Sequence, residues 1–338
     1  MIFPFLLVFS RTDVVIDRDG IRKDLKGWNF QDVIKIASQY EKGFRVLVEL
    51  LDDYDSTVRK NALYVIQDLI KENLIDCERL KLALEKIIKL ADDPDESVSL
   101  RAIETLNLIL EKVELDPESY EMVTNALMKI VKSGKPVLSE YAAEGLGSIG
   151  ARIAVIASRI ISWLFSLIKP GHKREVQSAA ITALTEMAYK TSNRKIVDKI
   201  VKGLAEALDE PDDYIRERAL RSLERLITKR DMISRQTLSL TLKKLQPLLR
   251  DEKLKDTANL VMERILKIAQ VDEGMEEVLS YREKLEVNQY DIDDIETLID
   301  SGKQEVVAEM ANITRRFSRR LSRCSPPITT QEGWMRSG

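Results

Sequence analysis

The strongest constraint on the fold is a triplet of apolar and small residues that recurs along the chain. An apolar residue recurs every 38 to 40 positions, at Val58, Val98, Leu138, Val176, Ile215 and Leu254. Alanine stands four residues after each of them, at Ala62, Ala102, Ala142, Ala180, Ala219 and Ala258. A larger apolar residue stands eight residues after each, at Ile66, Leu106, Leu146, Leu184, Leu223 and Met262. Offsets zero, four and eight lie on one face of an α-helix. The sequence therefore predicts six helices, each with an alanine at a close contact between helices.

A further helical segment precedes each of these six, which we call the second helices. The apolar period predicts the first helices over residues 41–51, 78–91, 119–132, 153–168, 194–208 and 236–249. A single pair of helices cannot bury its apolar face, whereas stacked pairs bury a continuous core. Only 13 Gly and 9 Pro occur among 338 residues, which also favours an all-α protein.

The repeated unit resembles a HEAT repeat. Residues 55–59 and 213–216 match the Asp turn and the Val/Ile-Arg opening of the family's second helix, and residues 142–150 (AAEGLGSIG) resemble the lyase-type HEAT subfamily. The resemblance covers residues 41–270 and implies a right-handed α-α solenoid of about six helix pairs. The family's Arg is replaced by Ser99, Ser139, Gln177 and Lys255, which predicts that its ladder of Asp–Arg pairs is interrupted in the middle repeats.

The sequence predicts that the chain is divided into four segments. Residues 1–28 are predicted to be a lead-in, irregular or with a short strand over residues 10–28, and residues 29–270 form the solenoid. Residues 271–322 are predicted to be a degenerate helical cap, with a local charge of −9 over residues 272–300 that is followed by a basic run. Residues 323–338 are predicted to be disordered. The apolar residues 1–9 are too short for a membrane span. A peripheral anchor, a packed end and a mis-assigned start stay open for them.

The composition argues against the common catalytic and metal-binding centres. His172 is the only histidine and falls in a predicted turn, while Cys77 and Cys324 form no CxxC motif. The glycines Gly145, Gly147 and Gly150 read as GxGxxG but lie in a predicted helix without a preceding strand, so helix packing explains them better than phosphate binding. We therefore predict no catalytic residue, no metal, no cofactor and no small-molecule substrate, and the two cysteines fit a reducing cytoplasm.

The second helices are expected to line the concave side of the solenoid. Offsets 2, 6, 9 and 13 lie opposite the predicted core and carry four basic and eight acidic residues, which predicts a mildly acidic face. Such a face suits a partner with a basic surface and repels the phosphates of DNA. The predicted partner-binding residues are Tyr64, Leu100, Glu104, Glu140, Glu144, Tyr189, Arg221 and Glu224.

These features favour a non-enzymatic scaffold or adaptor that binds a protein partner in the concave groove. One alternative is an enzyme of the HEAT-type lyase or DNA glycosylase kind. Another is a nucleic-acid or membrane accessory protein that uses the C-terminal basic run, Arg315, Arg316, Arg319, Arg320 and Arg323. That run also has two plainer interpretations, a solvated helix end and a clasp on the acidic residues 272–300.

Overall fold

The structure is a computed structural model and describes residues 16–271. Within this range the chain forms fourteen α-helices and no strand, so the predicted all-α solenoid is confirmed. The first helices of the six pairs are α3 (Glu41–Glu49), α5 (Cys77–Leu90), α7 (Pro117–Ser133), α9 (Ala154–Ile168), α11 (Arg194–Glu206) and α13 (Arg235–Leu245). The second helices are α4 (Ser56–Lys71), α6 (Glu96–Lys112), α8 (Pro136–Arg152), α10 (Arg174–Lys190), α12 (Asp213–Leu226) and α14 (Lys255–Val271). Helices α1 (Arg18–Gly27) and α2 (Phe30–Gln39) precede them.

The helix pairs stack in chain order and form two layers. Each second helix contacts the next one, from α4 through to α14, and α3, α5 and α7 make the corresponding contacts among the first helices. Short 3-10 turns at Leu50–Asp52, Ala207–Asp209, Ile227–Met232 and Gln246–Arg250 extend several helices. This arrangement gives the second helices a shared outer side, which we call the second-helix face.

The core lies where the repeat register predicts it. All eighteen residues of the recurring triplet are at most 5% exposed, and the six alanines are completely buried. Burying a leucine or isoleucine side chain stabilises a fold by about 1.5–3 kcal/mol. Each helix pair contributes several such side chains to the core. The alanines allow the neighbouring helices to approach closely, because a larger side chain would hold them apart.

The N-terminal prediction is wrong for residues 18–27, which form helix α1 and not irregular chain or a strand. The carboxylate of Asp17 caps this helix by accepting hydrogen bonds from the amides of Asp19 and Gly20. Ile21 and Leu25 are buried, and the side-chain amide of Asn61 donates to the carbonyl of Leu25 over 2.8 Å. Helix α1 therefore belongs to the packed array, and the sequence signal for it was the capping Asp17.

Charged pairs connect successive turns at both ends of the array. Arg22 pairs with Asp53 and Arg59 with Asp93, each over 2.8 Å. Towards the C-terminus, Arg174 pairs with Asp212 over 2.7 Å and Arg216 with Asp251 over 3.3 Å. The Arg22 hydrogen bond and backbone donation from Asp55 lower the pKa of the Asp53 carboxyl, against the effect of its burial. Arg59 and Arg216 are the predicted ladder arginines, and Arg22 and Arg174 make equivalent pairs from positions outside the motif.

The ladder is interrupted in the middle repeats, as the substitutions at Ser99 and Ser139 predicted. The Ser99 hydroxyl donates to the carbonyl of Ala91, and the Ser139 hydroxyl donates to that of Ile130 over 3.1 Å. Gln177 likewise donates to the carbonyl of Ile168 over 2.6 Å. Each side chain satisfies a carbonyl at the end of the first helix in its own pair. None of the three makes the charged bridge to the next repeat.

Acid is expected to weaken the N-terminal repeats through Asp95, the capping residue of α6. Hydrogen bonds from the Ser56 and Ser97 side chains lower its pKa from 3.8 to about 2. A lowered folded-state pKa means that the stabilisation is complete above about pH 4 and is lost as the pH falls towards 2. Asp95→Asn keeps a capping side chain, so it should lower the unfolding free energy by about 1 kcal/mol at pH 7, after allowing for solvent screening. Urea titrations from pH 7 to 2 should show the unfolding free energies of the two proteins converging near pH 2. A difference that stays constant with pH would contradict the Asp95 carboxylate as its source.

Several predictions concern residues beyond the described range. The apolar residues 1–9, the cap after Val271 and the tail over residues 323–338 lie outside it, as does the C-terminal basic run. Between residues 16 and 271, the chain contains no helix with the length and apolar character needed to cross a bilayer.

Candidate functional site

The second-helix face is wider than the sequence predicted, and its charge is nearly balanced. Most of the described side chains at offsets 3, 10 and 14 are also at least partly exposed, although Asn61 and Ala179 are buried. They add eight basic residues, Arg101, Lys112, Arg152, Lys190, Arg218, Arg225, Lys229 and Arg264. They add only three acidic residues, Asp68, Glu72 and Glu186. The prediction of an acidic face is therefore wrong. It counted only the residues at offsets 2, 6, 9 and 13, a stripe too narrow to include the flanking arginines and lysines.

A cavity of about 770 Å³ opens on this face, over α6 and between α4 and α8. Its lining comprises Gln67 and Lys71 of α4, Arg101, Glu104, Asn107, Leu108, Leu110 and Glu111 of α6, Tyr141, Glu144, Ser148, Ala151 and Arg152 of α8, and Lys190 of α10. Of the eight predicted partner-binding residues, only Glu104 and Glu144 line it. We call this cavity the α6 groove. Its volume lies in the range of clefts that take small ligands or several side chains of a partner.

Tyr64, a predicted anchor, is already engaged by groups of this chain. Its ring packs against Phe30, with ring centroids 5.0 Å apart, and the guanidinium of Arg101 lies 5.6 Å from its centroid. Arg101 also pairs with Glu104 over 3.2 Å and donates to the side chain of Gln67. Tyr64, Arg101 and Glu104 thus form a triad across α4 and α6, which we call the α4–α6 triad.

Tyr189 is held in the same way near the other end of the face. The guanidinium of Arg225 lies 4.1 Å from its ring centroid and pairs with Glu186 over 2.5 Å. The ammonium of Lys229 lies 5.8 Å from the same ring. Tyr189 is still 46% exposed, so part of its ring faces solvent. Tyr189, Arg225 and Glu186 form the α10–α12 triad.

Glu140 contributes to the fold instead of facing solvent as a free group. Its carboxylate accepts hydrogen bonds from the hydroxyls of Ser178 over 2.8 Å and Thr182 over 2.6 Å. Arg218 pairs with it over 3.1 Å and also donates to Thr182. One carboxylate therefore links α8, α10 and α12. These bonds join repeats close to where the turn ladder is interrupted.

The remaining predicted residues have partners or are partly buried. Arg221 pairs with Glu217 over 2.6 Å, and Glu224 pairs with Arg264 over 3.3 Å. Leu100 is partly buried. Exposed ion pairs of this kind contribute little to stability, so they stay open to exchange with a partner.

Unlike Tyr64, Tyr189 and their glutamates, Tyr141 and Glu144 have no arginine partner among the described residues. Among the described residues, the Glu144 carboxylate accepts no hydrogen bond and forms no ion pair, although the side chain is exposed in the groove. Partial burial of the carboxyl raises the pKa of Glu144, and repulsion from Glu186 raises it further, against the opposing charge of Lys190. Tyr141 lies one helical turn earlier and is 36% exposed. Tyr141 is not among the predicted partner-binding residues, because it stands at offset 3, outside the predicted stripe.

The glycines of the GxGxxG-like segment lie at close contacts between helices. A Cβ atom at Gly147 would stand 2.9 Å from the carbonyl oxygen of Ala183 and 3.1 Å from the amide nitrogen of Met187. A Cβ at Gly150 would stand 2.1 Å from the terminal methyl of Met187. A Cβ at Gly145 would meet the side chains of Asn107 and Leu127. The packing explanation of this motif is therefore confirmed.

Potential catalytic and metal-binding groups are scattered over the described part of the chain. His172 is exposed in the turn between α9 and α10, and Cys77 is exposed at the start of α5. Residues 16–271 contain no group of three or more His, Cys, Asp and Glu side chains that could hold a metal ion.

Comparisons with known proteins agree on the fold. A model of the family described as non-SMC mitotic condensation complex subunit 1 (Cnd1) matches residues 33–149. The structure is similar to an archaeal HEAT-like repeat protein from Thermococcus onnurineus NA1, with a TM-score of 0.50 and 16% identity over 74% of this chain and 98% of that one. It is also similar to importin beta, with a TM-score of 0.57 and 15% identity over 74% of this chain and 33% of importin beta. No curated protein matches the sequence.

Proposed function

We propose that this HEAT-repeat solenoid is a non-catalytic scaffold or adaptor that binds a protein partner on its second-helix face. The supporting observation is the α6 groove, which second helices of four successive repeats line with aromatic, aliphatic and charged side chains. Tyrosine and arginine are the residue types that most often dominate the binding energy of protein interfaces. The fold relatives support an interaction role only in general terms, because one fold serves many functions.

The charge of the face favours a protein partner over a nucleic acid. Nucleic acid binding depends on an excess of Lys and Arg that neutralises phosphates. On this face the basic residues are matched by carboxylates, as in the pairs of Arg101 with Glu104 and Arg225 with Glu186. A protein surface with both charged and apolar groups fits such a mixed pattern better. The expectation of a partner with a basic surface therefore rests on particular carboxylates and not on the whole face.

A photo-crosslinking experiment in cells of the organism that encodes the chain tests this function. Benzoylphenylalanine replaces Leu108, which lines the α6 groove, or Ser158, which is exposed on the first-helix side at α9. We expect a discrete covalent protein adduct from the Leu108 position and none of that mass from the Ser158 position. Adducts of equal yield at both positions, or none at Leu108, would contradict partner binding on the second-helix face.

A further inference from the structure

We propose that Tyr141 and Glu144 form a docking site for one arginine side chain of the protein partner. This inference rests on the proposed function and specifies the chemistry of one point in the interface. Tyr141 and Glu144 are three residues apart on α8 and both line the α6 groove. Residues with this spacing are neighbours on a helix surface, so an aromatic ring and a carboxylate stand side by side.

The two triads of this chain show what such a ring and carboxylate bind. In the α4–α6 triad an arginine lies over the ring of Tyr64 and pairs with Glu104. In the α10–α12 triad another arginine lies over Tyr189 and pairs with Glu186. The same combination of tyrosine, arginine and glutamate thus occurs on either side of α8. Cation–π attraction and charge pairing act together on the guanidinium in both cases.

Helix α8 supplies the ring and the carboxylate without the arginine. Among the described residues, no basic side chain lies over the ring of Tyr141, and no ion pair forms at the carboxylate of Glu144. The basic residues that line the groove are engaged elsewhere. Arg152 donates to the carbonyl of Leu110, and Lys190 donates to the hydroxyl of Ser148 over 2.9 Å and lies 3.6 Å from Glu186.

The groove accommodates the rest of an arginine side chain. Leu108 lies in the lining together with Tyr141 and offers apolar surface for the methylene groups of an incoming side chain. The raised pKa of Glu144 fits a carboxylate that gains from a cation, since its partial burial and the neighbouring Glu186 disfavour its charge until a cation is present. The groups that act on this carboxyl are Glu186 and Glu140, which raise its pKa, and Lys190 and Arg225, which lower it.

Arginine fits better than lysine for a geometric reason. A planar guanidinium can lie against an aromatic ring and present two N–H groups to one carboxylate, whereas an ammonium is a compact point charge. Both triads use arginine, although Lys229 also stands near Tyr189. We therefore assign the site to arginine.

The test uses random peptides of about a dozen residues, displayed as a library and selected for binding to the full chain. Selected peptides should contain an arginine whose replacement by the neutral, isosteric citrulline weakens binding about tenfold. Glu144→Gln should weaken the same peptides about tenfold, and the two changes together should weaken them no further than either alone. Such a double-mutant cycle isolates the contact from general effects of charge.

Three further variants separate the ring and the carboxylate from their surroundings. Tyr141→Leu should weaken binding about threefold to fivefold, whereas Tyr141→Phe, which keeps the ring, should leave it within about twofold. Glu111→Gln removes another carboxylate of the groove, one that stands 3.6 Å from Lys112, and should also have less than a twofold effect. Circular dichroism melts confirm that all four proteins stay folded, as expected for exposed positions.

The outcomes distinguish this inference from the proposed function. Additive losses for citrulline and Glu144→Gln, selected peptides without arginine, or an equal preference for lysine would each overturn the arginine site. A crosslinked partner at Leu108 would leave the scaffold function intact in all three cases. The absence of peptides that bind the second-helix face would contradict both proposals.

Discussion

Ala219→Asp is expected to lower the free energy of unfolding by about 4 kcal/mol, a large effect for a single substitution. Ala219 is completely buried in α12, between core residues Ile215 and Leu223. An aspartate there would place a carboxylate in a contact between helices, without a basic partner and without room for water. Thermal and urea denaturation, followed by circular dichroism, would measure the loss.

A matched control is available because the chain also has an exposed alanine at a helix start. Ala154 is the first residue of α9 and is exposed. Ala154→Asp introduces the same carboxylate near the positive end of the helix dipole, so it should be neutral or stabilising by about 0.3–1 kcal/mol. A melting temperature of Ala219→Asp close to that of the unchanged protein would refute the repeat register.

The fold could be predicted because its determinants are local and repeated. The triplet that includes Val58, Ala62 and Ile66 recurs six times, so each occurrence supports the others, and all are buried as expected. Helix α1 was missed because it lies outside the repeat and offers only Asp17 as a starting signal. Sequence periodicity therefore located the array but not its N-terminal addition.

The surface could be predicted only in part because it depends on how the repeats are superposed. Tyr64 and Glu104 lie 40 residues apart, and their connection through Arg101 exists only because α4 and α6 lie side by side. Glu140 looked like a free groove residue, but the stacking of α8, α10 and α12 brings Ser178 and Arg218 to its carboxylate. A wider stripe, with offsets 3, 10 and 14, would have revealed the flanking arginines.

Gly147→Leu is expected to lower the free energy of unfolding by about 3 kcal/mol, through overpacking between α8 and α10. A Cβ at Gly147 would stand 2.6 Å from the Cβ of Glu186 and would also press on the backbone of Ala183 and Met187. Backbone atoms of a packed helix cannot move aside as a flexible side chain can, so the two helices must separate. Urea denaturation at neutral pH would measure the loss.

Gly27→Leu provides the comparison at a site with free space. Gly27 is exposed at the end of α1, and the nearest atom to its added Cβ would be the side-chain nitrogen of Asn29 at 3.6 Å. Removing a helical glycine there should stabilise the protein by up to about 1 kcal/mol. If Gly147→Leu were equally benign, the glycines of α8 would not be packing residues.

Separation of α8 from α10 would also stretch the bonds of Glu140 to Ser178 and Thr182. The variant should therefore weaken peptide binding at Tyr141 and Glu144 as well, because α8 carries both residues.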